Sequence, residues 1–242
     1  MIHSRVAVIG GTGSQGKGLA YRFARGGHDV VVGSRSPARA SAVVEAISAR
    51  LDSAHAGSVS AASNEAACAD ADVIVLAIPF DVQDALVAVL PLVGKVVISC
   101  VNPLTFDQCG IHSRPVEAGH SSAAETTQRA APGARLVGAF HHVSATRLWS
   151  DVAHLDEDVL VVGDDQQAKQ TVMALIVSLT GRPGVDAGEL KLARQLESFT
   201  AVLISIKRQY KAYVGIRVTG IPVRASEAAC EPVDRKPARA PS

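Results

Sequence analysis

The chain has 242 residues and a formal net charge of +1, and 48% of its residues are hydrophobic with few aromatics. This length predicts one full domain and a smaller one, and an aliphatic composition is typical of a parallel sheet covered by helices. The balanced charge argues against nucleic acid as a partner, and no apolar run is long enough to cross a membrane.

The four cysteines show neither CxxC pairing nor metal-ligand spacing. Such scattered thiols are typical of a protein in a reducing compartment. Since the first strand-like run begins almost at once, no signal peptide is expected. The sequence therefore predicts a cytoplasmic protein without a metal.

Apolar, β-rich runs recur along the chain, with helical patterns between most of them. The strand-like runs are residues 5–10, 28–33, 72–78, 95–101, 135–140 and 158–163, with 58–63 as a short edge strand. The helical patterns are residues 81–90, 123–131, 166–179 and the long stretch 189–213. This alternation predicts an α/β fold, a Rossmann-like doubly wound and mostly parallel sheet with right-handed crossovers.

A glycine cluster follows the first apolar run, in the stretch VAVIGGTGSQG at 6–16. We expect Gly11 to let the chain turn sharply, Gly13 to let the backbone approach a pyrophosphate, and Gly16 to let helix and strand pack closely. The next helix would point its amide dipoles at the phosphates. A purely structural turn is the alternative, but the strand–turn–helix–strand order favours a dinucleotide site.

The end of the second strand indicates which dinucleotide is bound. Sites for NAD place an acidic residue there to accept a hydrogen bond from the ribose 2′-hydroxyl. This chain has Ser34 and Arg35, with Arg39 one helical turn later. A hydroxyl and two guanidiniums can bind a 2′-phosphate, although two solvated charges at a helix start would have the same sequence. We therefore predict NADP rather than NAD.

Three further strand ends are expected to face the same cleft. Ile78 and Pro79 can lie against a nicotinamide or adenine face, and Asn102 offers amide hydrogen bonds. His141 and His142 follow the strand ending near residue 140. Adjacent residues point in different directions, so a metal site is disfavoured, while an orienting and a merely structural histidine are both open.

No Tyr/Lys acid–base pair of short-chain dehydrogenases, GxSxG elbow or Walker loop is present.

Several segments in chain order closely resemble the NADPH-dependent reductases of the deazaflavin coenzyme F420. They are VIGGTG with GKGLA within 8–20, VVGSR at 31–35, AIP at 77–79, CVNPL at 100–104, GAFHHVSA at 138–145, VGDD at 162–165, ESFTAVLI at 197–204 and parts of 208–220. The resemblance covers about residues 4–221. One departure is Gln15, where a leucine-like residue is expected.

The resemblance implies direct hydride transfer between stacked nicotinamide and deazaflavin rings, with NADP(H) as cofactor and coenzyme F420 as co-substrate. Residues 1–182 would form the NADP-binding domain, 183–221 a small helical domain, and 222–242 a disordered tail. Homodimers or higher homo-oligomers are implied, with 199–213 as the interface. The expected cofactor-binding residues are Gly11, Thr12, Gly13, Ser14, Gln15, Gly16, Ser34, Arg35, Arg39, Ile78, Pro79, Asn102, Pro103, Leu104, His141, His142, Ala145 and Val214.

His141 is the catalytic candidate, with an orienting rather than an acid–base role, because a deazaflavin handles the proton on its own ring nitrogens. Two other functions stay open. One is a catalytically silent NADP-binding redox sensor, and the other is an NADPH-dependent reductase of ordinary flavin or ferric iron.

Overall fold

A computed structural model describes residues 3–52, 56–108, 110–114, 116 and 122–221, and the predicted tail, Cys109 and Cys230 lie outside them. The strands within these residues are β1 (Arg5–Ile9), β2 (Asp29–Gly33), β3 (Val59–Ala62), β4 (Val73–Leu76), β5 (Val96–Ser99), β6 (Leu104–Asp107), β7 (Gly110–Ser113), β8 (Arg135–Gly138), β9 (Leu160–Gly163) and β10 (Val185–Asp186). The helices are α1 (Ser14–Arg25), α2 (Pro37–Ser48), α3 (Asn64–Ala69), α4 (Gln83–Val87), α5 (Ala123–Ala130), α6 (Ala145–Leu148), α7 (Gln166–Thr180) and α8 (Ala193–Tyr210).

The main sheet has the strand order β10-β9-β8-β5-β4-β1-β2-β3 within the described part of the chain. From β3 to β8 neighbouring strands are parallel, whereas β9 is antiparallel to β8. The six parallel strands have the doubly wound order of dinucleotide-binding folds. The predicted fold class is confirmed, and the predicted edge strand is β3.

Both faces of this sheet are buried, which explains why its strands are almost continuously apolar. In β1, Val6 and Val8 belong to the core cluster that contains α1 and α7, whereas Ala7 and Ile9 belong to the cluster on the opposite face. All four are fully buried. Alternation along the strand therefore anchors a helix layer on each side and fixes where the strand ends emerge.

Local signals in the sequence set several helix ends. Asp165 accepts a hydrogen bond from the Ala168 N–H at 2.8 Å and begins α7, and Gly181 ends that helix with φ +72°. Ser36 accepts from the Arg39 N–H at the start of α2, where Pro37 is the first helical residue. The Ser36 cap therefore begins α2 directly after β2, beside the candidate phosphate site.

The structure differs from the predicted elements in several places, and the short elements α3, α6 and β10 were not predicted. The helix predicted at 81–90 is a 3₁₀ turn at Phe80–Val82 followed by the short α4. The pattern at 189–213 begins with a second 3₁₀ turn, Leu190–Leu192, before α8. The hairpin formed by β6 and β7 was not predicted, because both strands lie half-exposed outside the main sheet.

The C-terminal region is helical, as expected. The inner side of α8 packs against α5 and β7. None of the described helices is long and apolar enough to span a bilayer.

Candidate functional site

The glycine turn lies where β1 and β4 run side by side. Gly10 has φ +77°, and a Cβ there would lie 2.3 Å from the Ala77 carbonyl oxygen. A Cβ at Gly16 would lie 2.5 Å from the Gly10 oxygen, and one at Gly11 would lie 2.9 Å from Val32. Gly10, rather than Gly11 as predicted, therefore makes the turn in the left-handed region, while Gly11 and Gly16 allow close packing.

A cleft of about 800 Å³ opens at the carboxyl ends of β1, β2 and β4. This is the crevice at the topological switch point, where open α/β sheets bind ligands. The predicted site residues that line it are Thr12, Gly13, Ser34, Arg35, Arg39, Ile78 and Pro79. The further lining residues, which sequence analysis missed, are Gly10, Gly33, Ser36, Asn64, Ala77, Asp81, Val82, Ala85 and Leu86.

One end of the cleft is suited to a phosphate group. Arg35 and Arg39 are exposed, and no salt bridge of the described residues includes either guanidinium. Ser34 accepts a hydrogen bond from the Ser36 N–H at 3.1 Å, which fixes the serine at the start of the turn into α2. Because β2 ends without a carboxylate, this end can hold a 2′-phosphate on a hydroxyl and two cations.

Asp81 is the acidic residue of the lining. Its carboxylate accepts a hydrogen bond from the Arg114 guanidinium at 2.5 Å, and that guanidinium also lies over the Phe80 ring. The ion pair reduces the repulsion that Asp81 would exert on a bound phosphate. It also joins the β7 end of the hairpin to the cleft wall.

A second group of predicted residues lies around the end of β8. His141 Nδ1 donates to Asn102 Oδ1 at 3.2 Å, and Asn102 Nδ2 donates to the His141 carbonyl at 2.8 Å. The Thr200 hydroxyl of α8 donates to the same carbonyl at 2.9 Å. His141 therefore connects three elements: the loop after β5, the loop after β8 and α8.

His141 is electrically neutral in this setting. Its side chain is 3% exposed, and burial with the neighbouring His142 lowers its pKa to about 3. Within the part of the chain that the structure describes, Nε2 is buried without a hydrogen-bond partner. At neutral pH this imidazole lacks the second ring proton that an imidazolium would give up as a general acid, and its remaining N–H is donated to Asn102, so its hydrogen bonds serve to hold Asn102 and the loop.

His142 connects the same loop to the C-terminal segment. Its Nε2 donates to the Asp158 carbonyl at 2.9 Å, and burial lowers its pKa. The Asp158 N–H donates to the Ile216 carbonyl at 2.7 Å, and the Val218 N–H donates to the Asp158 carboxylate at 2.8 Å. The segment that contains Val214 is thus bound beside the 155–158 loop.

The remaining predicted residues do not line the cleft and belong to the neighbouring loops and helix starts. Gln15 Nε2 donates to the Phe140 carbonyl at 3.3 Å, and Phe140 is a buried non-glycine residue with φ 64°. Strained backbone of this kind is concentrated at functional sites. Ser14 begins α1 and Ala145 begins α6, and the two helices pack together. Pro103 and Leu104 enter the hairpin, where the Pro103 carbonyl accepts from the Arg114 N–H at 2.6 Å.

Glu197 is a buried carboxylate that sequence analysis did not single out. It accepts hydrogen bonds from the Ala123 and Ala124 N–H groups at 2.9 and 3.0 Å, at the start of α5. Burial raises its pKa to about 7, although the two N–H donors favour the charged form. The residue lies one turn from Thr200 and anchors α8 to the start of α5.

Comparisons with known proteins give a consistent result. The family model described as NADP oxidoreductase coenzyme F420-dependent matches residues 5–103. The F420-dependent NADP reductase of Methanothermobacter thermautotrophicus is 36% identical over 228 residues, which cover 90% of this chain and 96% of that protein. The reductase of the same name from Methanocaldococcus jannaschii is 30% identical over 223 residues, 90% of this chain and all of that protein.

A solved structure from Arthrobacter sp. FB24, provisionally named an F420-dependent NADP-reductase, has the same fold. It has a TM-score of 0.74 and 25% identity, and the match covers 89% of this chain and 99% of that one. The family predicted from the sequence motifs is confirmed. Together with the glycine turn and the cleft at the switch point, these matches show that the chain belongs to the F420-dependent NADP reductase family.

Proposed function

We propose that this protein transfers a hydride between NADPH and coenzyme F420. The observation that carries the proposal is the cleft in which the glycine turn, Ser34 and the guanidiniums of Arg35 and Arg39 lie together. The names of the relatives, F420-dependent NADP reductases, supply the pair of reactants.

The cleft fits NADP from one end to the other. The 2′-phosphate is held by Ser34, Arg35 and Arg39, and the pyrophosphate lies over Thr12 and Gly13. A Cβ at Gly13 would meet only the Gly10 oxygen, at 3.3 Å, so little in the protein competes with a ligand for that space. Ile78 and Pro79 offer an apolar wall for a flat ring.

The deazaflavin is placed at the second group of residues. Its edge would meet 102–104, 141–145 and 214–217, which the hydrogen bonds through Asn102, His142 and Asp158 connect. The nicotinamide would supply the hydride, and the deazaflavin would accept it together with a proton from solvent, which its own ring nitrogen takes up. The part of the protein would be to orient both rings. Holding two reactants in near-attack contact can remove roughly 7–11 kcal/mol of a barrier at the upper end.

His141 acts as a positioning residue in this proposal. A pKa of about 3 leaves it neutral over the working range, and Asn102 occupies its Nδ1 proton. Gly11 and Gly16 shape the turn, while Ser14 and Gln15 lie in the first turn of the helix that faces the pyrophosphate. The proposal includes two further properties. The protein forms a homodimer through α8, and it is located in the cytoplasm, which the scattered cysteines support.

A single assay tests the reaction. Purified protein is mixed with NADPH and oxidised coenzyme F420, and the visible absorbance of the oxidised deazaflavin is followed. We expect the absorbance to fall with NADPH and much more slowly with NADH. NADPH binding without turnover would favour the sensor function, and faster turnover with FMN or ferric iron would favour the alternative reductase.

A further inference from the structure

Asn64 lies at the start of α3, beside the last residue of β2. A Cβ at Gly33 would lie 3.1 Å from Asn64 Oδ1, so the amide is next to the strand end that precedes Ser34. The Asn64 side chain is 5% exposed and lines the cleft. It is therefore a buried polar side chain in the wall of the nucleotide site.

The amide oxygen of Asn64 has no hydrogen-bond partner among the described residues. Buried polar atoms are nearly always paired in native proteins, so an amide with an unpaired oxygen in the wall of a ligand cleft indicates a hydrogen-bond partner on the ligand. Helix capping does not explain the residue either. The preceding Ser63 already caps α3, its hydroxyl accepting from the Ala66 N–H at 3.2 Å.

The position and chemistry of Asn64 indicate the adenosine ribose. In NAD sites a carboxylate at the end of β2 accepts from the ribose hydroxyls, and this chain has Ser34 there. In NADP the 2′-oxygen carries the phosphate, which leaves the 3′-hydroxyl as the ribose donor. A neutral amide can accept from that hydroxyl without repelling the phosphate. Its oxygen now lies beside Gly33, and a half-turn of the amide, which exchanges oxygen and nitrogen at little cost, would move the oxygen away from Gly33 to accept this hydrogen bond.

We propose that Asn64 accepts a hydrogen bond from the 3′-hydroxyl of the adenosine ribose and, as a neutral acceptor, contributes to the choice of NADP over NAD. This inference depends on the proposed placement of the adenosine half of NADP in the cleft. It does not depend on the identity of the hydride acceptor.

Calorimetry with two small ligands tests the contact between Asn64 and the 3′-hydroxyl in the absence of coenzyme F420. The probes are adenosine 2′,5′-bisphosphate and its 3′-deoxy counterpart. We expect the wild-type protein to bind the 3′-deoxy ligand about 2- to 12-fold more weakly, the range of one neutral hydrogen bond. Asn64→Ala and Asn64→Ser should bind the deoxy ligand as tightly as the hydroxyl ligand, or nearly so.

A matched control is Gln83→Leu. Gln83 is also a buried amide with an unpaired oxygen, but its nitrogen donates to the Ala123 carbonyl and it does not line the cleft. This variant should keep the wild-type ratio of the two affinities. Equal binding of both ligands by the wild type, or an unchanged ratio in Asn64→Ala, would overturn the proposal. If a variant fails to fold, the affinities of the wild-type protein for the two ligands still test whether the 3′-hydroxyl is bound.

Asn64→Asp tests the charge argument by steady-state kinetics. A carboxylate beside the 2′-phosphate should raise the KM for NADPH at least about tenfold, while the KM for NADH stays equal or falls and kcat changes little. Equal increases for both nucleotides would contradict the selective role. A protein that shows the affinity ratio but reduces no coenzyme F420 would contradict the proposed function and leave this contact standing.

Discussion

At the residue scale, the proposed recognition of the 2′-phosphate depends on the guanidiniums of Arg35 and Arg39, which no carboxylate of the described residues neutralises. A charge-assisted hydrogen bond contributes about 1.5–3 kcal/mol, which is roughly 10- to 150-fold in affinity. We expect Arg35→Ala to raise the KM for NADPH by at least tenfold and to change kcat and the KM for NADH little. Steady-state kinetics with both nucleotides checks this.

Arg5→Ala is the matched control for that variant. Arg5 is an exposed arginine at the opposite end of β1, with a salt bridge of 3.9 Å to Asp70. It should leave both KM values unchanged. If Arg35→Ala weakened NADH and NADPH equally, Arg35 would bind another part of the dinucleotide.

His141 gives a second prediction at this scale. Loss of a general acid or base lowers turnover by about 10²- to 10⁴-fold, whereas loss of an orienting contact costs less. Since the pKa of His141 is about 3, we expect His141→Gln to lower kcat by less than about tenfold and to leave the shape of the kcat–pH profile unchanged between pH 5 and 9. Rates with NADPH and coenzyme F420 across that range are the measurement.

His28→Gln is a suitable control, because His28 is also a buried histidine with an unpaired Nδ1 and a lowered pKa, and it lies just before β2. Its kcat should be close to that of the wild type. A hundredfold or larger loss in His141→Gln with unchanged binding would mean that His141 transfers a proton.

At the element scale, the structure shows which elements follow from sequence alone and which do not. The apolar run of β1 and the helical pattern of α7 are local, so the sequence predicted both elements nearly at their observed bounds. The hairpin of β6 and β7 depends on packing against α8, and no period in its half-exposed residues indicated it. The left-handed turn was assigned to Gly11 rather than Gly10, because the sequence does not say which glycine meets Ala77.

In the candidate site, too, the sequence predicted residues at known positions of the fold and missed those that packing between distant segments brings together. Ser34 and Arg35 were found because the end of the second strand is a known position in this fold. Asn64 was missed, since its importance depends on α3 lying beside Gly33 across a connection between strands. A polar residue at the first turn after the edge strand was the one signal that could have indicated it.

The contact between the 155–158 loop and the C-terminal segment contains a buried acid that makes it pH-dependent. Glu157 is 4% exposed, its Oε2 has no hydrogen-bond partner among the residues described, and a Cβ at Gly215 would lie 2.7 Å from that oxygen. Burial raises the pKa of Glu157 to about 7 from 4.5. The folded protein therefore binds more protons than the unfolded chain between these values, and its stability falls as pH rises from 4.5 through 7.

We expect Glu157→Gln, which stays neutral, to reduce this loss. The free energy of unfolding of the wild type should fall, relative to that of the variant, by up to about 3 kcal/mol between pH 4.5 and 8. Denaturant unfolding at several pH values measures it. Glu45→Gln, which changes an exposed acid on α2, should follow the wild type. If the free energy of unfolding changes with pH in the same way for Glu157→Gln and the wild type, ionisation of Glu157 does not destabilise the folded protein.

At the scale of the whole molecule, α8 has two faces with different partners. Its inner side carries Glu197 and Thr200, which hold the start of α5 and the His141 carbonyl. Its outer side exposes an apolar stripe at helical spacing, formed by Phe199, Val202, Ile206 and Tyr210, which are 37–74% exposed. Such a stripe on a helix that touches the site is typical of a surface covered by a second copy of the chain.

We therefore expect the wild type to sediment as a dimer and Val202→Glu, which places a charge in the middle of the stripe, to sediment as a monomer at the same concentration. Ala42→Glu, on the exposed side of α2, is the control and should remain dimeric. Because α8 holds the His141 carbonyl through Thr200, the monomer should also show a lower kcat with a nearly unchanged KM for NADPH. A wild type that sediments as a monomer would contradict the dimer, whereas a monomeric Val202→Glu with full turnover would show that the site is complete in one chain.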